Sequence, residues 1–266
     1  MGKIVTKNNK VKFEIKNKED CILYLGHLLE YFEKKKVIYW NLLLESLDYL
    51  YYELKKNNVN IDEGEGALKS IIKNRDLNIE VDFYKFKLFN SAINLIKNEM
   101  INVIGDFSKN KIAISYNNYL DIISKKNIIG VKYEEDNNRK QLVDEFNTYR
   151  NYTHHFTSDK LCEWIGYREK QIKENKNCRF EFGKEFNIYM SDKIQYKVFV
   201  KELEKNILFY EDAKKITDFM KKDFEILIGE DVNINIKKTI FDYSAVDITY
   251  NGFASHNLSK NKHNKL

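Results

Sequence analysis

The sequence predicts a mainly α-helical protein, a helical bundle with a few short β-strands, on three observations. The chain contains no proline, so no missing amide donor or ring clash forces a helix to stop. Apolar residues recur at spacings of three and four through several long stretches, as in helices with one buried face. Hydrophobic residues make up 43% of the 266 residues and aromatics 14%, enough for a real core and too much for a disordered chain.

The elements follow in order. Residues 11–15 (Val-Lys-Phe-Glu-Ile) alternate and predict a short strand. Ile22, Leu25, Leu28, Leu29 and Phe32 form an amphipathic stripe. A second helical stretch over 37–56 is richer in apolar residues, with Trp40, Leu43, Leu47, Leu50 and Leu54, and suits a central place in the bundle. Residues 62–66 (Asp-Glu-Gly-Glu-Gly) punctuate the chain as a loop. A third long helix spans 83–104, with Gly105 placed as its C-terminal cap. Residues 116–124 form a short helix, and Gly130 marks a loop. Asn137 and Asn138 stand ready to cap a helix over 139–155, whose apolar stripe is Leu142, Phe146 and Tyr149. Another helix is expected over 158–173, a polar break at 174–177, and a hairpin over 180–189 around Gly183. One or two helices fill 193–227, and weak alternation over 234–250 holds a strand. These elements compose one helical domain over 1–253, a core of about 18–173 with an accessory segment at 178–253, and a basic flexible tail at 254–266.

Composition limits the function classes. The net charge of +5, from 45 basic and 40 acidic residues, falls short of a dedicated nucleic-acid binder but permits a local basic face. Runs such as Lys34–Lys36, Lys125–Lys126 and Lys214–Lys215 read first as solvated faces. Cys21, Cys162 and Cys178 form no Cys-x-x-Cys pair, and read as idle thiols of a reducing compartment. No apolar run reaches the roughly 18 residues of a membrane helix, and the first residues lack the apolar stretch of a signal peptide. A cytoplasmic location with no membrane association is expected.

Chemistry concentrates at Arg150-Asn151-Tyr152-Thr153-His154-His155. Of the five histidines, His27 lies beside an apolar stripe and reads as structural, and His256 and His263 fall in the tail. The pair His154-His155 has polar, basic surroundings near a helix end. Imidazole exchanges protons near neutral pH. Guanidinium stays charged and forks onto phosphate oxygens. RNA carries its own nucleophile in the 2′-hydroxyl, so a base, an acid and a phosphate clamp suffice and no cofactor or metal is required. At ~100° per residue, Arg150 and His154 share one helix face and Asn151 and His155 the adjacent one. One helix offers one such set, and a symmetry mate supplies the opposed one. Three alternatives stand beside this. Arg150 can pair with Asp144 or Glu145 while the histidines sit solvated at the helix end, favoured by its dipole. Asp159 and His155 can bind a metal, although two ligands fall short of a site. The chain can also be a helical scaffold that binds RNA or protein without cutting.

The run Arg150-Asn151-x-x-x-His155 fits the R-x4-6-H signature with a polar residue after the arginine, and so resembles the HEPN superfamily of helical-bundle ribonucleases. The Arg-Asn-…-His-His run is similar to that of abortive-infection proteins in that superfamily. The resemblance covers these six residues and the helical architecture of roughly 18–173. It implies that Arg150 contacts phosphate, Asn151 assists, and His155, or His154 in its place, moves the proton. Tyr149, Tyr152, Thr153 and Lys160 are then candidates for RNA contacts, against the packing role aromatics more often have. It implies further a metal-independent endoribonuclease, a homodimer through the motif-bearing helix, a context of phage defence or toxin–antitoxin growth control, and a neutralising or activating protein partner.

Overall fold

The computed structural model describes residues 4–7, 10–61, 67–107, 114–154, 192–237 and 245–249, and at 4–7, 10–12, 152–154, 236–237 and 245–249 the backbone alone. The loop at 62–66, the helix at 158–173, the break at 174–177, the hairpin at 180–189 and the tail at 254–266 all lie outside these residues. The described elements are β1 (Ile4–Lys7), β2 (Lys10–Phe13), α1 (Lys18–Lys56), α2 (Ala67–Lys73), β3 (Glu80–Asp82), α3 (Phe83–Gly105), α4 (Tyr116–Lys125), α5 (Asn137–His154), β4 (Lys193–Gln195), α6 (Tyr196–Ile228), β5 (Asn233–Lys237) and β6 (Ala245–Thr249). The protein is mainly α, and the strands among the described residues form three antiparallel pairs, β1–β2, β3–β4 and β5–β6.

The two helical stretches expected before residue 57 are one helix. α1 runs for 39 residues, about 58 Å at 1.5 Å per residue. Asn17 caps it by accepting the Asp20 amide at 2.9 Å, Glu19 and Asp20 favour its positive end, and Lys55 and Lys56 its negative end. The lysine run 34–36 interrupts nothing, because lysine is a good helix former. Nor is the whole run a solvated face. Lys36 is only 12% exposed and binds Glu33 at 2.5 Å and Thr217 at 2.9 Å, and Lys35 reaches Glu99 of α3 at 2.5 Å.

Three long helices build the body. β3 pairs with β4 in the register Glu80↔Gln195, Val81↔Ile194, Asp82↔Lys193, and each strand leads straight into a helix. This pairing starts α3 and α6 side by side. α1 packs antiparallel to both: Tyr49 near its end meets Phe89 and Phe199, and Tyr39 in its middle meets Phe209 at 5.4 Å between ring centroids. Phe32, Tyr39, Met100, Tyr116, Phe146, Tyr196 and Phe224 are among the fully or almost fully buried core residues. Burying one such side chain contributes roughly 1.5–3 kcal/mol.

Several expectations shift. The residues at 193–227 form the short strand β4 and the single 33-residue helix α6, ended by Gly229 in the left-handed conformation (φ 84°) with its amide on the Glu225 carbonyl. The region 234–250 gives two strands, β5 and β6, and residues 4–7 pair with β2. Gly105 is not a left-handed cap. It is the last helical residue of α3, and Asp106 follows in an extended conformation. Glycine is required there by proximity: a Cβ would lie 2.5 Å from the Asn147 backbone nitrogen and 2.6 Å from the Phe146 carbonyl carbon. The end of α3 and the middle of α5 therefore touch backbone to backbone. No helix among the described residues is long and apolar enough to cross a membrane.

Candidate functional site

α5 carries the arginine–asparagine–histidine run and is positioned from both ends. Asp136, not Asn137 or Asn138, caps its start by accepting the Arg139 amide at 2.9 Å. Its buried face is formed by Arg139, Leu142, Val143 and Phe146. Tyr149 does not extend that stripe: its side chain is 48% exposed. At ~100° per residue the line through 139, 143 and 146 continues to 150, and 149 falls at the edge of the buried face, on the side of Leu142. Arg150 thus points along the buried line, toward α3, at the point where Gly105 lets the helices close.

There the Arg150 Nη2 lies 3.1 Å from Asp106 Oδ1, with the two side chains 27% and 26% exposed, and its Nη1 donates to Asn151 Oδ1 at 3.2 Å. The partner expected within the helix is not used. Asp144 and Glu145 stand six and five residues back, well over 100° around the helix from Arg150. Both are exposed, and Glu145 accepts instead from Gln141 at 3.0 Å.

Asp106 is held firmly. Its amide donates to the Asn102 carbonyl at 3.2 Å, and its carbonyl accepts the hydroxyl of Ser115, the fully buried cap of α4. The Ser115 amide in turn donates to the Tyr24 hydroxyl at 2.9 Å. Burial lifts the Tyr24 phenol to about 12, so at neutral pH it is an uncharged link from α1. Tyr24, Ser115, Asp106 and Arg150 thereby connect four helices. The guanidinium lies in the last turn of α5 and beside the end of α3, where both dipoles favour positive charge.

His154 is the last residue of α5, one turn past Arg150 and on the same side; its side chain and those of Tyr152 and Thr153 lie outside the described residues, as do His155 and Lys160 altogether. The structure therefore brings together Arg150, Asn151 and, by helical register, the backbone of His154. The arrangement can clamp an anion at Arg150 with an imidazole-bearing position one turn away. His27, expected as structural, is exposed, its side chain at 67%, with Glu30 4.0 Å away. Among the described residues no group of three or more metal-ligating side chains occurs.

Two features escape sequence reasoning. One is Asp106 itself, which no local pattern ties to α5. The other is a cleft of about 220 Å³ between α4, the start of α5 and the end of α6, lined by Tyr119, Tyr133, Phe219 and Lys222 among others. On its wall Arg139 pairs with Asp223, and Asp223 accepts the Tyr116 hydroxyl at 2.6 Å. Burial raises the Asp223 carboxyl, against the downward pull of Tyr116 and Arg139, and raises the Tyr116 phenol well above its usual range. The residue types alone carry no signal for this trio, which unites three separate helices. Searches of family models, of curated proteins and of solved structures find no match to this chain.

Proposed function

We propose that the chain is a metal-independent endoribonuclease of HEPN type, cytoplasmic and engaged in phage defence or toxin–antitoxin growth control. One observation carries the reading: α5 sets the Arg150 guanidinium, partly open and already bonded to Asn151, one helical turn before the first of two adjacent histidines. In the reaction a histidine, His155 or His154, takes the proton from a ribose 2′-hydroxyl. The 2′-oxygen attacks phosphorus, and Arg150 neutralises the charge growing on the non-bridging oxygens. A second imidazole gives a proton to the departing 5′-oxygen. A 2′,3′-cyclic phosphate and a 5′-hydroxyl result. Two copies of the chain meeting along α5 supply the opposed set of groups, and Tyr149, 48% exposed, stacks on a base.

The test incubates purified protein with mixed RNA in EDTA, beside Arg150→Ala, His154→Ala and His155→Ala. Cleavage is expected in the wild type and lost in the arginine variant, and the histidine whose removal stops it is the working one. Cleavage that needs a metal ion, or that survives all three substitutions, contradicts the reading.

A second reading is favoured by one contact. Because Arg150 already meets Asp106 at 3.1 Å, it can serve as a strut between α5 and α3 in a non-catalytic scaffold that binds RNA or protein. That reading predicts binding without cleavage, and loss of stability when Arg150 is removed.

A further inference from the structure

We propose that Asp106 is the resting counter-ion of the Arg150 site, an internal carboxylate that occupies the seat of a phosphodiester and must give way before a polyanion binds. The inference rests on the reading of Arg150 as a phosphate clamp. A carboxylate and a phosphodiester each present two equivalent oxygens to a guanidinium, and a guanidinium binds both by the same fork of donors. In this chain the Asp106 carboxylate already stands 3.1 Å from Nη2. It cannot drift away with its backbone, because its amide is held by Asn102 and its carbonyl by Ser115. Only the side chain can turn aside.

Burial decides whether such a contact can open. Both side chains are about a quarter exposed, so water and salt reach the pair, and separating it costs little. The Arg139–Asp223 pair, by contrast, is only 6% and 10% exposed and also holds the Tyr116 hydroxyl, so separating it costs far more. Asp106 therefore sets a threshold: a strand that offers several phosphates displaces it, whereas a lone anion in solution competes poorly. A polyanionic RNA strand is the ligand that this gate selects.

The experiment measures binding apart from cleavage. The probe is a fluorescein-labelled 20-nucleotide RNA carrying 2′-O-methyl at every ribose, which lacks the internal nucleophile. Its Kd is measured by anisotropy for the wild type, Asp106→Asn, Asp106→Glu, Arg150→Ala and the Asp106→Asn/Arg150→Ala double variant. Removing the charge is expected to tighten binding by about two- to fivefold, the range of an exposed ion pair. Asp106→Glu, which keeps the charge, binds like the wild type. The gain from Asp106→Asn vanishes in the Arg150→Ala background, a result that a merely structural role does not produce. Should Asp106→Asn fail to fold by circular dichroism, Asp106→Ser takes its place. Binding that is unchanged or weaker in the uncharged variant overturns the proposal, as does an equal gain with and without Arg150. The two readings fail separately. A wild type that cuts ordinary RNA while Asp106→Asn gains nothing removes the counter-ion role alone; the gain without any cutting removes the nuclease alone.

Discussion

Arg139 and Arg150 leave the same line of α5, about three turns apart, and each meets an aspartate from elsewhere in the chain, Asp223 within α6 and Asp106 just past the end of α3. Arg139 and Asp223 are almost sealed, at 6% and 10% exposed, with the Tyr116 hydroxyl completing the group. Arg150 and Asp106 are 27% and 26% exposed and lie where two helix ends converge. The chemistry of the pairs is the same and their surroundings are not. A sealed pair fixes helices relative to one another, since losing one member strands the other charge away from water. A half-open pair contributes little to stability and can exchange one partner for a ligand. That contrast distinguishes a structural arginine from a candidate catalytic one on the same helix.

The largest effect is expected at the sealed pair. Arg139→Ala should destabilise the protein by roughly 3–5 kcal/mol, read as a fall in the denaturant midpoint; a loss below ~1 kcal/mol erases the contrast. Next comes the open pair. Arg150→Ala should lower RNA cleavage by about 100-fold or more, the loss typical of a group that stabilises developing charge, while the unfolding free energy moves by less than ~1 kcal/mol. A variant that melts early and loses activity only in proportion assigns Arg150 to the scaffold. Gly105→Ala sharpens the comparison further. Its Cβ must displace the α5 backbone, at a cost of about 1–3 kcal/mol, and it should loosen the Arg150–Asp106 contact while sparing Arg139–Asp223. Cleavage kinetics and melting temperature together check this.

The effect of pH is the smallest near neutrality. Burial raises the Cys21 thiol from 9.0 to about 11 and the Tyr24 phenol from 10.0 to about 12. Both are acids whose folded values exceed their unfolded ones, so their neutral forms are favoured by folding. Their contribution is complete below pH 9 and is lost as pH rises through 11 to 12. Melting temperature should hold near neutrality and fall across that alkaline window, with Cys21 unreactive toward thiol reagents at pH 8. A decline beginning below pH 8 sends the account of this buried end of α1 back for revision.

Much of the fold was legible because helix periodicity is a local property. The stripes at 22–32, 83–104 and 116–124 predicted helices that exist, and the absence of proline explains why α1 and α6 run so long. What failed was what depends on contacts between elements. The lysines at 34–36 read as a solvated face because their partners Glu99 and Thr217 belong to other helices. Gly105 looked like a cap because a glycine after an apolar stripe reads the same whether it is needed for a left-handed turn or for a neighbouring backbone. Tyr149 was counted in the stripe and is exposed, one position short of the line that Arg150 continues. At the candidate site, Arg150 and Asn151 were found from residue type alone. Asp106, which decides how Arg150 is held, was invisible, since only the crossing of α3 and α5 places it there.

The central claim is that Arg150 and a neighbouring histidine cut RNA through its own 2′-hydroxyl. Analysis of the product ends after digestion in EDTA tests it most directly. The account predicts 2′,3′-cyclic phosphates and 5′-hydroxyls, with no cutting of an otherwise identical 2′-O-methyl strand. Ends bearing 5′-phosphate and 3′-hydroxyl, or a digestion that the chelator stops, would contradict it.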